Sequence, residues 1–411
     1  MTRCCAVALG ISLVAACSTT PAPQSAVTKT RGDVELSPFY KSDSTLPERA
    51  GILIRQEQLE QRQSLVNAGS NIRILYSSTD GLSGDSLLPV SGVLYMPKGE
   101  ASEGGWPLIA WTHGTVGIAD ICAPSWNGRQ SRDENYLNLW LSRGYAVVAS
   151  DYQGLGTQGT HPYLATRPAA YSNLDIIRAV QAGDFPLAKR VVLLGQSQGA
   201  GAAIATADYA KSYAPEIDLV GVVATGAPYF TPAVLDVLDR LRKPDELDPL
   251  LGYTFLGMTL VEQVDPDFQM RDYISDAAWP VASRVDDTCY AGLKEMVIKS
   301  GLTRRQSFAR PAAPAMRLGF ERMGYPSLAF DTPLFLGTGA DDKDTPARMQ
   351  AGLVMAACKA GTPVESVLYS GLNHTEVVMT STQQSIPFVE AAFRGDEIKG
   401  NCDNLPFSRK Q

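Results

Sequence analysis

The feature that most constrains the fold is a Gly-x-Ser-x-Gly segment at residues 195–199, centred on Ser197. The continuous apolar run before it, 191–194, predicts a buried strand, and the small residues after it, 200–203, predict a helix. A sharp turn from strand to helix strains the backbone of its central residue and exposes that side chain, so its neighbours must lack bulk. The segment therefore predicts that Ser197 presents its hydroxyl as a nucleophile.

Short apolar runs bounded by turn residues recur along the chain and alternate with helical patterns. Strands are predicted at residues 71–76, 89–96, 107–112, 145–151, 190–195, 219–224, 333–337 and 364–369, and helices at 136–142, 171–182 and 199–212. Such alternation implies right-handed crossovers between parallel strands. We expect an α/β fold with a mostly parallel central sheet, entered through two antiparallel strands and flanked by helices.

The alternation stops between residues 228 and 327, where helical patterns continue without a clear strand. We expect a helical cap (lid) in this range, inserted into a catalytic domain formed by residues 37–227 and 328–411. The middle of the cap is rich in apolar side chains, which either form its own core or line an acyl pocket. They are Leu250, Leu251, Tyr253, Phe255, Leu256 and Met258.

A serine hydroxyl needs a base within hydrogen-bond reach, and the chain contains only three histidines to supply one. His113 and His161 precede Ser197, and His374 alone follows it. Hydrolases with this type of turn place the triad in the order Ser, acid, His. His374, just after the predicted last strand, is therefore the expected general base.

The acid is expected between these two residues, after the predicted strand 333–337. Three carboxylates lie there, on Asp341, Asp342 and Asp344, and Pro346 follows them. Asp342 is preferred because the acid in such enzymes often precedes a proline at the next helix start by four residues. Asp344 is the main alternative, since an Asp two residues before the proline can instead cap that helix.

The oxyanion of a tetrahedral intermediate needs backbone N–H donors. Gln198, directly after the nucleophile, is expected to supply one. Thr115 is expected to supply the second, because it lies in the loop after the strand 107–112 and Gly114 lets that backbone approach closely. His113, in the same loop, is interpreted as a brace that hydrogen bonds within it.

The N-terminus is typical of an export signal: Arg3, an apolar stretch, and Leu-Val-Ala-Ala-Cys at residues 13–17. This run resembles a bacterial lipobox, which predicts a signal peptide over 1–17, a lipidated Cys17 and a tether over 18–36. The alternative is an ordinary cleaved signal peptide. Either way the enzyme is expected to be exported, held in the first case at the bacterial cell envelope through its membrane anchor.

Four cysteines remain beyond the leader and the anchor: Cys122, Cys289, Cys358 and Cys402. An even number in an oxidising compartment favours two disulfides, for which three pairings are possible. A metal site is not predicted, since no CxxC pair or histidine cluster accompanies them. The net charge of −7 argues against nucleic acid as a partner, because no basic excess neutralises phosphates.

Together these motifs resemble the secretory lipases typified by yeast lipase A, within the α/β-hydrolases. The similarity runs from about residue 38 to the C-terminus and includes the segments 113–115, 151–156 and 161–163, the serine turn, the long insertion and the predicted acid and base. It implies an α/β-hydrolase fold with a helical lid, esterase or lipase activity and no cofactor. It also implies the pairings Cys122 with Cys289 and Cys358 with Cys402.

The predicted function is hydrolysis of carboxylic esters, lipids among them, through an acyl-enzyme. Ser197 attacks the carbonyl, His374 takes the proton and Asp342 fixes the tautomer of the base, while the amides of Thr115 and Gln198 hold the oxyanion. A serine peptidase with the same triad is one alternative. A non-catalytic surface-binding lipoprotein is another, against which the complete triad argues.

Overall fold

The computed structural model of the protein describes residues 32–41, 46–84, 86–241 and 243–407. The predicted signal peptide at 1–17, Cys17 and most of the predicted tether lie outside the described residues. Within the described residues, no helix is both long enough and apolar enough to cross a membrane.

The centre of the fold is a sheet of nine strands among the described residues. They are β1 Leu53–Gln58, β2 Ala68–Thr79, β3 Leu87–Pro97, β4 Trp106–Thr112, β5 Ala146–Ser150, β6 Leu187–Gln196, β7 Asp218–Thr225, β8 Leu334–Gly339 and β9 Val364–Tyr369. Their order across the sheet is β1-β2-β3-β5-β4-β6-β7-β8-β9. The first three strands and the β3–β5 pair are antiparallel, and the remaining pairs are parallel. The predicted α/β class is confirmed.

All eight predicted strands are present, and β1 is the strand that the sequence did not predict. Its sequence, Leu-Ile-Arg-Gln-Glu-Gln, ends in three exposed polar residues at the edge of the sheet. An edge strand that faces water has neither the continuous apolar run of a buried strand nor a clean alternation, so the pattern gave no signal.

Helices cover both faces of the sheet. They are α1 Pro124–Asn127, α2 Ser131–Ser142, α3 Thr166–Ala182, α4 Gln198–Tyr213, α5 Pro232–Leu241, α6 Leu251–Val264, α7 Trp279–Ala282, α8 Tyr290–Ser300, α9 Arg304–Ser307, α10 Ala313–Arg322, α11 Ala347–Ala360, α12 Glu376–Thr380 and α13 Thr382–Arg394. One core lies between the sheet and α3, α4 and α11, and a second lies between the sheet and α2, α12 and α13. Alternate side chains of the central strands enter opposite cores, as in β4, where Leu108 and Ala110 belong to the first core and Ile109 and Trp111 to the second.

The helices α5 to α10 lie between β7 and β8 and have a hydrophobic core of their own. Of the apolar residues singled out from the sequence, Leu251, Phe255, Leu256 and Met258 are fully buried in this core. Leu250 and Tyr253 are only partly buried.

Two disulfides are present, Cys122–Cys289 and Cys358–Cys402. The pairing expected from the resemblance is therefore confirmed. The first bond ties the insertion, just before α8, to the segment after β4, and the backbone N–H of Tyr290 donates to the carbonyl of Val116 at 2.7 Å beside it. The insertion is thus attached to the loop that carries Thr115.

Candidate active site

Ser197 lies between the end of β6 and the start of α4, with φ 58° and ψ −125°. A positive φ is costly for a residue with a Cβ, so the surrounding structure must hold it. The backbone N–H of Ser197 donates to the carbonyl of Thr225 in the adjacent strand β7 at 2.9 Å. The turn is therefore pinned to the sheet and presents the serine at the carboxyl edge of the parallel strands.

The two glycines of the turn are required by close backbone packing. A Cβ on Gly199 would lie 1.9 Å from the carbonyl oxygen of Thr112, and one on Gly195 would lie 2.2 Å from the carbonyl oxygen of Gly199. Both distances are far below any real Cβ contact. The Gly-x-Ser-x-Gly spacing thus lets β6, α4 and the end of β4 meet around the serine.

His374 lies between β9 and α12, and Asp342 lies after β8. The two residues share a hydrogen bond of 2.7 Å between Nδ1 and Oδ2. With the carboxylate as acceptor, Nδ1 carries the proton and Nε2 is left as the basic nitrogen. Nε2 is buried and has no hydrogen-bond partner among the described residues. His374 and Ser197 line one cavity of about 380 Å³.

The three predicted acids have different environments. Asp342 is buried, and its Oδ1 accepts the backbone N–H groups of Asp344 and Thr345, both at 2.9 Å. Asp341 is exposed. The Oδ1 of Asp344 accepts the hydroxyl of Tyr253 at 2.9 Å. Of the three, Asp342 is therefore the residue that contacts His374.

Two further residues support this carboxylate, and the sequence reasoning missed both. The hydroxyl of Thr345 donates to Oδ2 of Asp342 at 2.9 Å, and Nε2 of Gln350 donates to the same oxygen at 3.2 Å. The amide oxygen of Gln350 in turn accepts the hydroxyl of Thr338 at 3.0 Å. A sequence signal existed for Gln350, because it is an amide at helical spacing from the apolar residues Val354 and Ala357 of α11. In the structure its side chain is fully buried. Such a residue needs partners, and these bonds supply them.

The loop after β4 packs against the serine turn. A Cβ on Gly114 would lie 2.8 Å from Oε1 of Gln196 and 3.6 Å from Cβ of Ser197, so glycine permits this approach. The next residue, Thr115, lines the cavity, and its hydroxyl shares a 2.8 Å hydrogen bond with the phenol of Tyr163. The structure thus brings both predicted oxyanion residues, Thr115 and the first residue of α4, close to Ser197.

The backbone N–H of Gln198 belongs to the first turn of α4, where no intrahelical acceptor exists. Its side chain shares a 3.0 Å hydrogen bond with Nε2 of His161. Nδ1 of His161 lies 2.9 Å from the carbonyl of Gln153, so Nδ1 carries the proton and Nε2 accepts from the Gln198 amide. Burial lowers the pKa of His161 to about 4.

His113 also serves its own loop. Nδ1 lies 2.8 Å from the carbonyl of Gly114, and Nε2 lies 3.3 Å from the carbonyl of Asp151. The ring stacks on Tyr152 with 4.3 Å between centroids. Burial lowers the pKa of His113. These contacts agree with the interpretation of His113 as a brace.

One group of side chains among the described residues has metal-ligand spacing. Ligand atoms of Asp342, Asp344 and His374 lie within 4.8 Å of one another. However, two of these residues already hydrogen bond to each other and the third accepts from Tyr253. The atoms that could bind a metal thus already hydrogen bond to protein groups. This arrangement suits a catalytic triad better than a metal site.

The serine turn, the histidine after the last strand and the inserted helices define a serine hydrolase with the α/β-hydrolase fold. The secretory lipase family model matches residues 131–268, from the start of α2 into the insertion. The secreted triacylglycerol lipase LIP3 of Malassezia globosa is 25% identical over 392 residues, covering 90% of this chain and 83% of that protein. Lipase A of Arthroderma benhamiae is 25% identical over 405 residues, covering 89% and 81%.

Solved structures show the same fold. Candida antarctica lipase A in its closed state has a TM-score of 0.71 at 20% identity, covering 89% of this chain and 88% of that one. A rice cell wall degrading esterase, LipA from Xanthomonas oryzae, has a TM-score of 0.67 at 21% identity, covering 84% and 99%. These structures confirm the expected α/β-hydrolase fold, and the family match and the similar lipases confirm the expectation of an ester hydrolase.

Proposed function

We propose that this chain is an exported serine carboxylic ester hydrolase in which Ser197, His374 and Asp342 are the catalytic triad. The observation that carries this proposal is the 2.7 Å bond from His374 Nδ1 to Asp342, which leaves Nε2 as the basic nitrogen of a histidine that lines the same cavity as Ser197. The similarity to secretory lipases supports export and a lipid ester as substrate.

In this mechanism Nε2 of His374 takes the proton of Ser197 as the hydroxyl oxygen attacks the ester carbonyl. The backbone amides of Thr115 and Gln198 stabilise the resulting oxyanion. His374 then donates the proton to the departing alcohol, and an acyl-enzyme forms. Water, deprotonated by the same histidine, releases the acid. Two backbone amides and the Thr345 hydroxyl donate to Asp342 and hold its carboxylate in place against His374.

The helices α5 to α10 form a lid over this site, within the limits 228–327 expected from the sequence. The contacts that support this role are the Cys122–Cys289 disulfide and the hydrogen bond from Tyr253 of α6 to Asp344 beside the triad acid. We further propose lipidation of Cys17 at a bacterial cell envelope, which rests on the lipobox-like run 13–17. Metabolic labelling with palmitate tests it, and a Cys17→Ala variant that stays labelled would refute it.

Labelling with a fluorophosphonate probe tests the nucleophile, beside hydrolysis of 4-nitrophenyl esters of increasing chain length. We expect the wild type to be labelled and to turn over esters, and Ser197→Ala to lose both. Loss of about 10⁴-fold or more in kcat is usual when a triad nucleophile is removed. Labelling that survives in Ser197→Ala refutes the assignment of the nucleophile, and a labelled wild type that cleaves amides but no ester points to a peptidase.

The acid is tested by the pair Asp342→Asn and Asp344→Asn. Asp342→Asn removes the charge that fixes the tautomer of His374, so kcat should fall by about 10³- to 10⁴-fold. Asp344→Asn keeps the backbone N–H that Asp342 accepts, so its kcat on an acetyl ester should fall less than ten-fold. The reverse order of losses would assign the role of the acid to Asp344.

A further inference from the structure

Two cavities meet at one side chain, that of Tyr253. The first is the cavity of about 380 Å³ that contains Ser197 and His374. The second, of about 90 Å³, lies between the insertion and Leu164, which precedes α3. Its walls are mainly apolar and include Leu164, Phe230, Leu235, Met316, Phe320 and Met323. Tyr253 lines both cavities, so it lies at the boundary between the cavity of the catalytic serine and an apolar chamber.

Tyr253 is held in this place by two contacts. Its hydroxyl donates to Oδ1 of Asp344 at 2.9 Å, and its ring stacks on Tyr290 with 4.4 Å between centroids. Burial raises the pKa of Tyr253, with the neighbouring Tyr290 and Tyr163 contributing, so the phenol keeps its proton and acts as the donor. Asp344 belongs to the loop of the triad acid and Tyr253 to α6, so the bond fastens the insertion to the catalytic loop.

The second cavity is small while Tyr253 is in place. Its volume of about 90 Å³ is below the roughly 150 Å³ of an apolar cavity that binds benzene. An acyl chain leaving the carbonyl at Ser197 therefore meets the phenol ring before it can enter the chamber. Moving that ring exposes a path to apolar walls, where each buried methylene group strengthens binding by up to about four-fold.

We propose that Tyr253 sets the acyl chain length of the substrate, and that its hydrogen bond to Asp344 holds it in the closed position. Short acyl groups react with Tyr253 in place, and longer chains react when the bond breaks and the ring moves aside. This inference rests on the proposed ester hydrolase activity and assigns a specificity role to the carboxylate that the triad does not use.

The readout is the ratio of kcat/KM for 4-nitrophenyl decanoate to that for 4-nitrophenyl acetate, measured with the disulfide-bonded chain. Because each variant supplies both values, a general loss of catalysis cancels in the ratio. We expect Tyr253→Ala to raise the ratio at least ten-fold, which is what burying two methylene groups supplies. Tyr253→Phe and Asp344→Ala, which break only the hydrogen bond, should each raise it by a smaller factor.

Two comparisons distinguish a specific effect of the Tyr253–Asp344 hydrogen bond from a general loosening of the fold. The double variant Tyr253→Phe/Asp344→Ala should show the same ratio as either single variant, because both remove one bond. Gly257→Leu provides the opposite test. Gly257 lines the second cavity, and its nearest neighbours are the flexible ends of Met316 and Met323, so a leucine there occupies the chamber. The ratio should then fall below that of the wild type.

Arg305→Gln serves as the matched control, because Arg305 is an exposed residue of the insertion that pairs with Asp245. Its ratio should equal that of the wild type. An unchanged ratio in Tyr253→Ala, or multiplied effects in the double variant, would overturn the proposal about Tyr253 while acetate turnover still upholds the hydrolase. A wild type that hydrolyses neither ester would instead refute the proposed function.

Discussion

The stability of the protein should depend on pH through His161, which is buried beneath the side chain of Gln198. Its pKa is about 4 in the folded protein, against about 6.5 in an unfolded chain. Between these values the unfolded state binds the proton and the folded state does not, so stability falls as the pH drops from 6.5 to 4. The difference of 2.5 units corresponds to about 3 kcal/mol in total, of which about 2 kcal/mol is lost between pH 7 and pH 5.

The test is urea unfolding at pH 5, 6 and 7, followed by tryptophan fluorescence, for the wild type and His161→Asn. The asparagine amide can still donate to the carbonyl of Gln153, which His161 contacts at 2.9 Å, but it does not titrate. The variant should be about 1 kcal/mol less stable at pH 7, because the Gln198 amide loses its acceptor. Its loss of stability between pH 7 and pH 5 should be about 2 kcal/mol smaller than that of the wild type.

Asn173→Ala is the matched control for this experiment. It removes the buried 3.0 Å hydrogen bond from Asn173 to Thr206, between the neighbouring helices α3 and α4, without removing a titratable group. It should lower stability by a similar amount at every pH. The reasoning about His161 is refuted if His161→Asn follows the pH dependence of the wild type, or if the wild type gains stability between pH 7 and pH 5.

Two further predictions concern backbone packing and the attachment of the insertion. Gly199→Ala should cost more than about 3 kcal/mol of stability or prevent folding, since its Cβ would meet a carbonyl oxygen at 1.9 Å. Gly352→Ala, whose Cβ would lie 3.5 Å from Tyr229, should be neutral or stabilising. Equal urea midpoints for Gly199→Ala and Gly352→Ala would contradict this reasoning. Replacing Cys122 and Cys289 by Ser together should cost about 5 kcal/mol, because the bond closes 167 residues. Hydrolysis of 4-nitrophenyl acetate should fall as well, and unchanged stability and turnover would show that the bond does not hold the insertion in place.

The strands that position the site were predictable because each is buried on both faces and therefore reads as a continuous apolar run. The run 191–194 before Ser197 is an example, and it forms the buried end of β6. The partner of each strand was not predictable in the same way. The sheet order places β5 between β3 and β4, and this order follows from crossover connections and not from any local pattern. β1 was not predicted for a related reason: a strand at the edge of the sheet has little need of apolar residues.

The choice among the three acids shows most clearly where sequence reasoning reaches its limit. Asp342 and Asp344 are two residues apart in one loop, and the chemistry of their side chains is the same. They differ in their partners: His374 lies 32 residues away from Asp342, and Tyr253 lies 91 residues away from Asp344. The spacing from Pro346 correctly favoured Asp342, the residue that contacts His374. The partner of Asp344 could not be predicted, because it depends on how α6 packs against this loop.

The two carboxylates can therefore have separate functions within one turn of chain. Asp342 is enclosed by backbone amides and by Thr345 and Gln350, so it is rigid and suited to orienting His374. Asp344 makes its side-chain contact with a tyrosine of the insertion, a contact that can break without disturbing those amides. With these separate functions, movement of the insertion changes which acyl chains reach Ser197 and leaves the geometry of the triad unchanged. Variants of Tyr253 should accordingly alter the chain-length ratio much more than the rate of fluorophosphonate labelling, and equal effects on both would argue that the insertion and the triad move together.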